Sequence, residues 1–502
     1  MKMLLKIRHG ILEIKNHPNT RISAIVINDE IILSSGSILE PYIQPLGVGE
    51  QCPHSKIIDD LQNNLLINAQ EESDESKFLN SLNYQITFDQ RSLVNQPQVL
   101  SRHCAKLLYL FSCKEVSQYI RHICATGAHF NDLQKECFLG SFVVLSLQGK
   151  DEKTTFQRFI AQIKHYLTFL YKVEKLDDVL TICTPFGMEE FYKTINFGKI
   201  SNLISSNGSL FVLSNTLPVG CEGSAVFNDK LRLVGMIICT TFQRQDKNVT
   251  LTLAAGFSYV MRDFLQKIGI NVRSIELERR VSSFQWERSL VVVMTNNQQC
   301  TGTLVKILNK PLILTCSHVM QNDNSPIACR SAYGNFQAEL VWKNPNINQP
   351  FDVALLRPSL HIPNKYFVKL ATTRPHSGQM IYNAGFPFFI NYQHDFNPSI
   401  FQGRIIKYSP ETIISDGCVQ DGQSGGPMFD KNGCVLGICV SNLKSDDVIF
   451  PNCNTAVPII GIRHTLEQYA KTDDVTILNN LVTKDTSPSS LWPATSTIQS
   501  KL

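Results

Sequence analysis

The feature that most constrains the fold is a series of short β-type runs that begins near residue 290. Apolar stretches alternate there with turns rich in Asn, Gly and Pro, and long amphipathic helical patterns are missing. Residues 311–315 (Pro-Leu-Ile-Leu-Thr) form one of these runs and predict a buried strand. The pattern predicts all-β structure, in which residues that follow a strand lie in loops at the mouth of a barrel.

Three polar residues adjoin such runs in a chemically suggestive order. His318 follows the strand at 311–315, Asp352 precedes the apolar run 353–356, and Ser424 lies in Gly-Gln-Ser-Gly-Gly-Pro. A half-buried carboxylate can orient an imidazole, which can take the proton of a serine hydroxyl. The glycines let the amides of Gly422 and Ser424 converge on a developing oxyanion. We therefore predict a catalytic triad of His318, Asp352 and Ser424, with an oxyanion hole at Gly422 and Ser424.

Each signal alone is weak, since a lone His is more often structural and G-x-S-x-G occurs in several enzyme classes. The order His, Asp, Ser is the chymotrypsin order, whereas an α/β-hydrolase needs Ser first and His last. His464 does follow Ser424, but alternating helices and strands are missing from the region. The sequence thus resembles a chymotrypsin-like serine protease.

Two positions depart from the digestive enzymes of that group. Gln423 stands where those enzymes carry an Asp that pairs with a new N-terminus, so the site should be preformed, as in HtrA/Deg-type proteases. Cys418 stands where trypsin-like specificity requires Asp. A specificity pocket of Cys418, Val440 and Asn442 should accept a small or uncharged side chain, unless nearby Asp416 contributes charge.

The first half resembles a decayed copy of the second. Gly-Cys-Glu-Gly-Ser-Ala-Val-Phe at 220–227 aligns with Gly-Gln-Ser-Gly-Gly-Pro-Met-Phe at 422–429. Residues 32–37 align with 313–318, which places Ser37 at the His position and Glu222 at the nucleophile position, and Asp178 could mirror Asp352. Without base and nucleophile this copy should be inactive. The alternative is an unrelated β domain.

The predicted fold class is mostly β: two chymotrypsin-like double β-barrel domains in tandem, the first degenerate. We expect the degenerate domain at residues 1–275, with a polar insertion near 50–100 that contains an acidic run at 71–75. The catalytic domain should span 284–470. Residues 471–502 should form a flexible tail.

Composition narrows the partners and the compartment. A net charge of +4 gives no case for nucleic acid, and no apolar run is long enough to span a membrane. An odd count of 15 scattered cysteines, without a secretory signal, indicates reduced thiols in an intracellular compartment. His and Cys residues gather between 103 and 137, but their spacing is not that of a closed zinc site. We expect no metal and no cofactor.

The last three residues, Ser500, Lys501 and Leu502, form the peroxisomal import address. This tripeptide predicts location in the peroxisomal matrix and binding to the import receptor. The other interpretation is an ordinary polar tail.

Together, Gly-Gln-Ser-Gly-Gly-Pro, a degenerate first half and terminal Ser-Lys-Leu resemble the peroxisomal leader peptide-processing proteases, a trypsin domain-containing family related to plant peroxisomal Deg proteases. The resemblance implies a serine endopeptidase that removes N-terminal leaders from imported matrix enzymes, including those of fatty-acid β-oxidation, or cuts them internally. It also implies self-association and self-cleavage next to a cysteine, for which Cys104-Ala105 is the candidate bond.

Two other functions stay open at this point. The chain could be a Deg-like quality-control protease that degrades unfolded chains, or a non-catalytic peptide-binding scaffold. The intact triad favours an enzyme over the scaffold.

Overall fold

The structure is a computed structural model that describes residues 5–15, 20–43, 54–89, 99–125, 133–149, 151–168, 172–205, 207–244, 247–272, 284–295, 299–320, 327–345, 351–387, 396–445 and 448–482. The chain divides into two compact units, Met1–Arg280 and Val281–Leu502.

The first unit combines strands with short helices. Its strands are β1 (Ile7–Ile14), β2 (Arg21–Ile27), β3 (Ile31–Ser35), β4 (Leu66–Asn68), β5 (Tyr84–Asp89), β6 (Leu100–Ser112), β7 (Ser141–Leu147), β8 (Asp178–Cys183), β9 (Thr194–Leu203), β10 (Leu210–Leu213), β11 (Ala225–Asn228), β12 (Leu233–Arg244) and β13 (Lys247–Gly256). Its α-helices are α1 (Glu40–Ile43), α2 (Ser55–Gln62), α3 (Asp74–Ser81), α4 (Lys114–Ala125), α5 (Leu133–Leu139), α6 (Glu152–Leu167) and α7 (Phe257–Lys267). 3₁₀ helices lie at Gly36–Leu39, Pro185–Gly187 and Glu189–Phe191.

Six strands of the first unit close into one barrel in the order β1-β2-β3-β7-β6-β5. The short strand β4 pairs with residues 109–111 of β6, beyond the part of β6 that pairs with β5. Their apolar residues, such as Leu12, Val26 and Val143, form one buried core. Closure suits these strands because it leaves no edge of the ring unpaired. A second closed barrel follows in the order β8-β9-β10-β13-β12-β11.

The segment near 50–100 differs from the solvated insertion that we expected. β5 is a wall of the first barrel, and Ile57, Leu61 and Leu79 of α2 and α3 are buried in its core. The acidic run has a local cause. Asp74 and Glu75 lie in the first turn of α3, where negative charge is favoured, and the Ser73 side chain caps that helix.

The second unit contains β14 (Leu290–Met294), β15 (Gln299–Ile307), β16 (Lys310–Thr315), β17 (Ile327–Ser331), β18 (Gly334–Lys343), β19 (Ala354–Pro358), β20 (Met380–Gly385), β21 (Ser399–Tyr408), β22 (Ile413–Ser415), β23 (Pro427–Phe429), β24 (Val435–Ser445) and β25 (Val448–Pro458). It also contains α8 (Ile459–Thr472) and 3₁₀ helices at Gln285–Ser289, Asn364–Tyr366 and Val475–Leu481. Its barrels close as β14-β15-β16-β19-β18-β17 and β20-β21-β22-β25-β24-β23. The predicted mostly-β fold of tandem double barrels is confirmed.

The packed part of the second unit continues beyond residue 470, where we expected a flexible tail. Leu478 and Leu481 are buried, and the Trp342 indole donates to Asn479 Oδ1 at 3.1 Å. Residues 483–502, with the tripeptide Ser500, Lys501 and Leu502, lie outside the described residues. In the described part of the chain, no helix is both long and apolar enough to cross a membrane.

His9 joins the two barrels of the first unit. Its Nε2 lies 2.6 Å from Thr184 Oγ1, and its carbonyl accepts the Tyr192 hydroxyl at 2.7 Å. Burial, with a smaller contribution from Lys193, lowers the pKa of His9 to about 3. The imidazole is therefore neutral when folded but takes a proton near pH 6.5 when unfolded.

We predict that acid destabilises the first unit through His9. The unfolded chain binds the extra proton as the pH falls below 6.5, so the free energy of unfolding should drop by about 2 kcal/mol between pH 7 and pH 5. His9→Gln should lose most of this dependence, whereas exposed His165→Gln should keep it. Hydrogen exchange of first-unit peptides at both pH values measures the effect; equal slopes in both variants would contradict it.

Candidate active site

His318 and Asp352 lie together in the second unit. His318 Nδ1 is 2.6 Å from Asp352 Oδ2, and both side chains are almost fully buried. The other carboxylate oxygen, Oδ1, accepts the amides of Ser317 and His318 and the Ser317 hydroxyl at 2.6–2.9 Å. These donors fix the carboxylate, and the carboxylate fixes the orientation of the imidazole.

Ser424 lies in the loop before β23, which is packed onto the end of β16. Gly422 and Gly425 have φ of 89° and 82°, a region that disfavours residues with a Cβ. A Cβ on Gly425 would come within 2.2 Å of Thr315 Oγ1 and 2.8 Å of the Cys316 amide nitrogen. Glycine is thus required for the serine loop to approach the strand that leads to His318.

The predicted oxyanion hole has the required donors. Among the described residues, neither the Gly422 nor the Ser424 amide has a hydrogen-bond partner. Thr301 holds the loop from the other barrel of the unit: its amide donates to the Ser424 carbonyl at 3.0 Å and its hydroxyl to the Gly422 carbonyl at 2.7 Å. The sequence analysis missed Thr301 and Ser317. An alignment of Ser23 with Thr301 would have pointed to the former.

The Ser424 hydroxyl donates to the Val440 carbonyl at 3.0 Å, and His318 Nε2 lies 3.9 Å from Cys316 Sγ. Among the described residues, no hydrogen bond joins Ser424 to His318. Proton transfer between them therefore needs a rotation of the serine side chain and an adjustment of the ring. Catalytic hydrogen bonds commonly tighten only when substrate is bound.

Gln423 keeps the loop in place without an ion pair. The side chain is 1% exposed, and its Oε1 accepts the Gln420 amide at 2.7 Å. This bond lies within the loop itself, as a preformed site requires.

The predicted specificity pocket carries no charge from its named members. Cys418 is buried, which raises the pKa of its thiol to about 12. Asn442 Nδ2 reaches across to the Val419 carbonyl at 2.9 Å, and its buried Oδ1 has no hydrogen-bond partner among the described residues. Asp416 is exposed, and its carboxylate accepts the Arg404 amide.

The first unit repeats the loop geometry closely. Gly220 and Gly223 have φ of 88° and 83°, and Ser23 Oγ donates to the Gly220 carbonyl at 3.0 Å, as Thr301 does to Gly422. Ser34 donates to the Ser23 carbonyl just as Thr315 donates to the Thr301 carbonyl. These contacts place Glu222 at the Ser424 position.

The Glu222 carboxylate accepts the backbone amide that would otherwise bind an oxyanion. Its Oε2 accepts the Gly220 amide at 2.8 Å, and its Oε1 accepts the Thr240 hydroxyl at 2.5 Å. The equivalent amide of the second unit, Gly422, is without a partner in the described residues. The first-unit loop is thus closed by its own side chain.

The suggestion that Asp178 mirrors Asp352 is wrong. Asp178 begins β8, the first strand of a second barrel, whereas Asp352 precedes β19 of a first barrel. Ser34 pairs with Val143 as Thr315 pairs with Ala354, so Ser141 is the residue equivalent to Asp352.

The proposed self-cleavage bond lies inside a strand. Cys104 and Ala105 belong to β6, where they pair with Gln85 and Tyr84 of β5, and the Cys104 carbonyl accepts the Gln148 amide at 3.0 Å. Cys104 is exposed but Ala105 is buried. Cleavage there requires β6 to leave the barrel.

Comparison with known families identifies the second unit. Residues 300–438 match the family described as trypsin-like peptidase domain. This part of the second unit is thus similar to a trypsin-like peptidase domain. The match begins in β15 and ends in β24, and so covers the protease-domain positions of His318, Asp352 and Ser424.

Curated relatives extend the similarity into the rest of the chain. A human protein named peroxisomal leader peptide-processing protease is 24% identical over 382 residues, which are 68% of this chain and 64% of the relative. A mouse protein of the same name is 24% identical over 335 residues, 60% of this chain and 57% of the relative. The chain thus spans about three fifths of their length. This relationship confirms the resemblance drawn from the sequence.

Solved structures with matching regions are also proteases. A serine endoprotease from Yersinia pestis is 19% identical, with 39% of this chain and 69% of that chain covered and a TM-score of 0.31. The active form of the Rv3671c protease from Mycobacterium tuberculosis is 19% identical, with 37% and 81% covered and a TM-score of 0.30.

We predict that Glu222 and Ser424 differ in what they contribute to stability. Glu222→Ala removes the partner of the Gly220 amide and should lower the unfolding free energy of the first unit by about 1–3 kcal/mol. Ser424→Ala, at the equivalent position, loses only the neutral hydrogen bond to the Val440 carbonyl and should lower that of the second unit by less, about 0.5–1.5 kcal/mol. Urea denaturation resolves the units, because the fluorescence of Trp286 and Trp342 reports on the second unit and hydrogen exchange of first-unit peptides reports on the first. Equal losses would count against a structural role for Glu222.

Proposed function

We propose that the chain is a serine endopeptidase that processes imported peroxisomal matrix enzymes by removing N-terminal leaders or cutting them internally. The observation that carries the chemistry is the buried His318–Asp352 pair beside a serine loop with two unpartnered amides. His318 is the general base, Ser424 the nucleophile, and Gly422 and Ser424 the oxyanion donors. The relatives' names supply the substrate class and the compartment.

The reaction follows from the contacts. Ser424 Oγ attacks the scissile carbonyl while His318 Nε2 takes its proton, and Asp352 stabilises the imidazolium through Nδ1. The negative oxygen of the tetrahedral intermediate is bound by the amides of Gly422 and Ser424. His318 then donates the proton to the leaving amine, and water hydrolyses the acyl-enzyme.

Targeting and self-processing complete the proposal. Ser500, Lys501 and Leu502 bind the peroxisomal import receptor and bring the enzyme to the matrix. Self-association is proposed on the resemblance alone. Self-cleavage between Cys104 and Ala105 is proposed for chains in which β5 and β6 are not paired, since a protease needs an extended substrate with free backbone groups.

We predict that the triad variants lose processing while keeping the fold. Ser424→Ala should abolish cutting of a leader-bearing matrix enzyme, labelling by a fluorophosphonate probe, and cleavage after Cys104. Asp352→Asn should lower kcat by roughly 10⁴-fold because the imidazole loses its orienting acceptor. Mass mapping of substrate and protease after incubation measures both.

Glu222→Ala is the matched control, because it alters the equivalent loop of the first unit and should leave probe labelling unchanged. A Ser424→Ala protein that still cuts would overturn the triad. Ragged products, instead of one discrete cut per enzyme, would favour quality-control degradation and leave the triad intact.

We propose that Asn442 limits the pocket to small uncharged side chains. Its amide spans from β24 to the Val419 carbonyl, next in sequence to the buried Cys418, and so takes space that a large side chain would need.

We predict that Asn442→Gly broadens specificity. In peptides that differ only in the residue before the cut, kcat/KM for Leu relative to Ala should rise about 10-fold or more, in line with the gain from added methylenes in an apolar pocket. Asn335→Gly, at an exposed position of β18, is the control and should leave the ratio unchanged. An unaltered ratio in Asn442→Gly would remove Asn442 from the pocket.

A further inference from the structure

Two buried thiols meet beneath the closed loop of the first unit. Cys183 is the last residue of β8, and Cys221 lies in the loop between Gly220 and Gly223. Neither thiol is exposed, and both belong to the same apolar core. The two thiols are near enough for each to shift the pKa of the other.

The equivalent positions of the second unit show how close these side chains must be. The Thr184 amide donates to Ser23 Oγ as the Phe386 amide donates to Thr301 Oγ1, so Cys183 corresponds to Gly385. Cys221 corresponds to Gln423 by the loop alignment. A Cβ placed on Gly385 would lie 3.2 Å from both Cα and Cγ of Gln423. Two cysteines at this pair of positions are close enough for a disulfide, whose Cβ atoms lie about 3.5–4.5 Å apart.

The two sulfurs differ in their surroundings. Cys183 Sγ receives the Asn196 amide at 3.3 Å. The pKa of Cys183 is lowered, chiefly because its thiolate accepts the hydrogen bond from Cys221 and further because of Asn196, against the effect of burial. The pKa of Cys221 is raised by the bond to Cys183, by burial and by the neighbouring charge of Glu222. Asn196 is half-buried, so Cys183 lies one side chain below the surface.

We propose that Cys183 and Cys221 are a redox-active pair that hydroperoxides convert to an intramolecular disulfide. Cys183, whose sulfur accepts the Asn196 amide, is the attacking sulfur, and Cys221 is the resolving one. The proposal does not depend on proteolysis, because both residues belong to the inactive unit.

The reaction balances with hydrogen peroxide as the oxidant. The Cys183 thiolate attacks one peroxide oxygen, the O–O bond breaks, and the leaving hydroxide takes a proton to become water. The sulfur of Cys221 then attacks the Cys183 sulfenic acid, the S–O bond breaks, and a second water leaves. Two thiols and one peroxide yield one disulfide and two waters.

A second thiol pair in the chain is an internal control. Cys300 and Cys316 are also buried, and Cys300 is near enough to affect the pKa of Cys316. Burial, followed by the interaction with Cys300, raises the pKa of Cys316 well above its usual range. Because burial opposes formation of the thiolate at Cys316, this pair should react more slowly.

The test treats the full-length chain with hydrogen peroxide at pH 7 and then blocks remaining thiols with N-ethylmaleimide. A Ser424→Ala, Cys104→Ser background prevents self-digestion and removes an exposed competing thiol. After denaturation and blocking, we expect the treated protein to carry two fewer N-ethylmaleimide adducts than the untreated protein, because two thiols have become one disulfide. Peptide mapping should find Cys183 joined to Cys221, at least about 10-fold faster than Cys300 to Cys316.

Single variants assign the roles. In Cys221→Ala, dimedone should trap a sulfenic acid on Cys183; in Cys183→Ala, Cys221 should stay unmodified. Circular dichroism checks that each variant is folded, and the rate comparison in the background protein needs neither variant. Equal rates for both pairs, no Cys183–Cys221 link, or trapping on Cys221 would each overturn the proposal. In urea the preference should vanish.

Discussion

Each unit depends on a hydrogen bond from a hydroxyl of its first barrel to a glycine loop of its second barrel. In the second unit that loop carries Ser424, and in the first unit it carries Glu222. In the second unit, Thr301 Oγ1 accepts the Phe386 amide and donates to the Gly422 carbonyl. In the first unit, Ser23 Oγ accepts the Thr184 amide and donates to the Gly220 carbonyl. A short hydroxyl can do both because it is donor and acceptor at once. This contact positions the loop whether or not the loop carries a catalytic residue, so the geometry of the loop is independent of its chemistry.

The first unit shows that separation. Its loop keeps the glycine conformations of the second unit although Glu222 replaces the nucleophile. An oxyanion hole is a pair of backbone donors that must find an acceptor. In a protease the acceptor is the oxygen of the reacting substrate and is present only during the reaction, whereas the Glu222 carboxylate is a permanent acceptor. In the first unit, the Glu222 carboxylate thus occupies the place that a reacting oxygen would take in a protease.

The sequence predicted what depends on local pattern. The aligned glycine loops and the mostly-β architecture could be predicted because glycine conformation and strand periodicity leave local signals. The segment near 50–100 was misread because its charges cap α3 while β5 closes the barrel, and strand pairing is a non-local property. Ser141 could not be found either: its equivalence to Asp352 rests on the register of β3 with β7, which no spacing reveals.

The geometry of the second unit shows which groups must still move before the proposed reaction can begin. Gln423 holds the loop from within, and Asp352 is saturated with donors, so neither the oxyanion loop nor the carboxylate has to move. Only the Ser424 hydroxyl, now on the Val440 carbonyl, and the ring of His318 must adjust. Rotation about a single side-chain bond is far faster than the rebuilding of a loop. Substrate binding that displaces the serine hydroxyl from Val440 and lets the His318 ring adjust would thus assemble the proposed site.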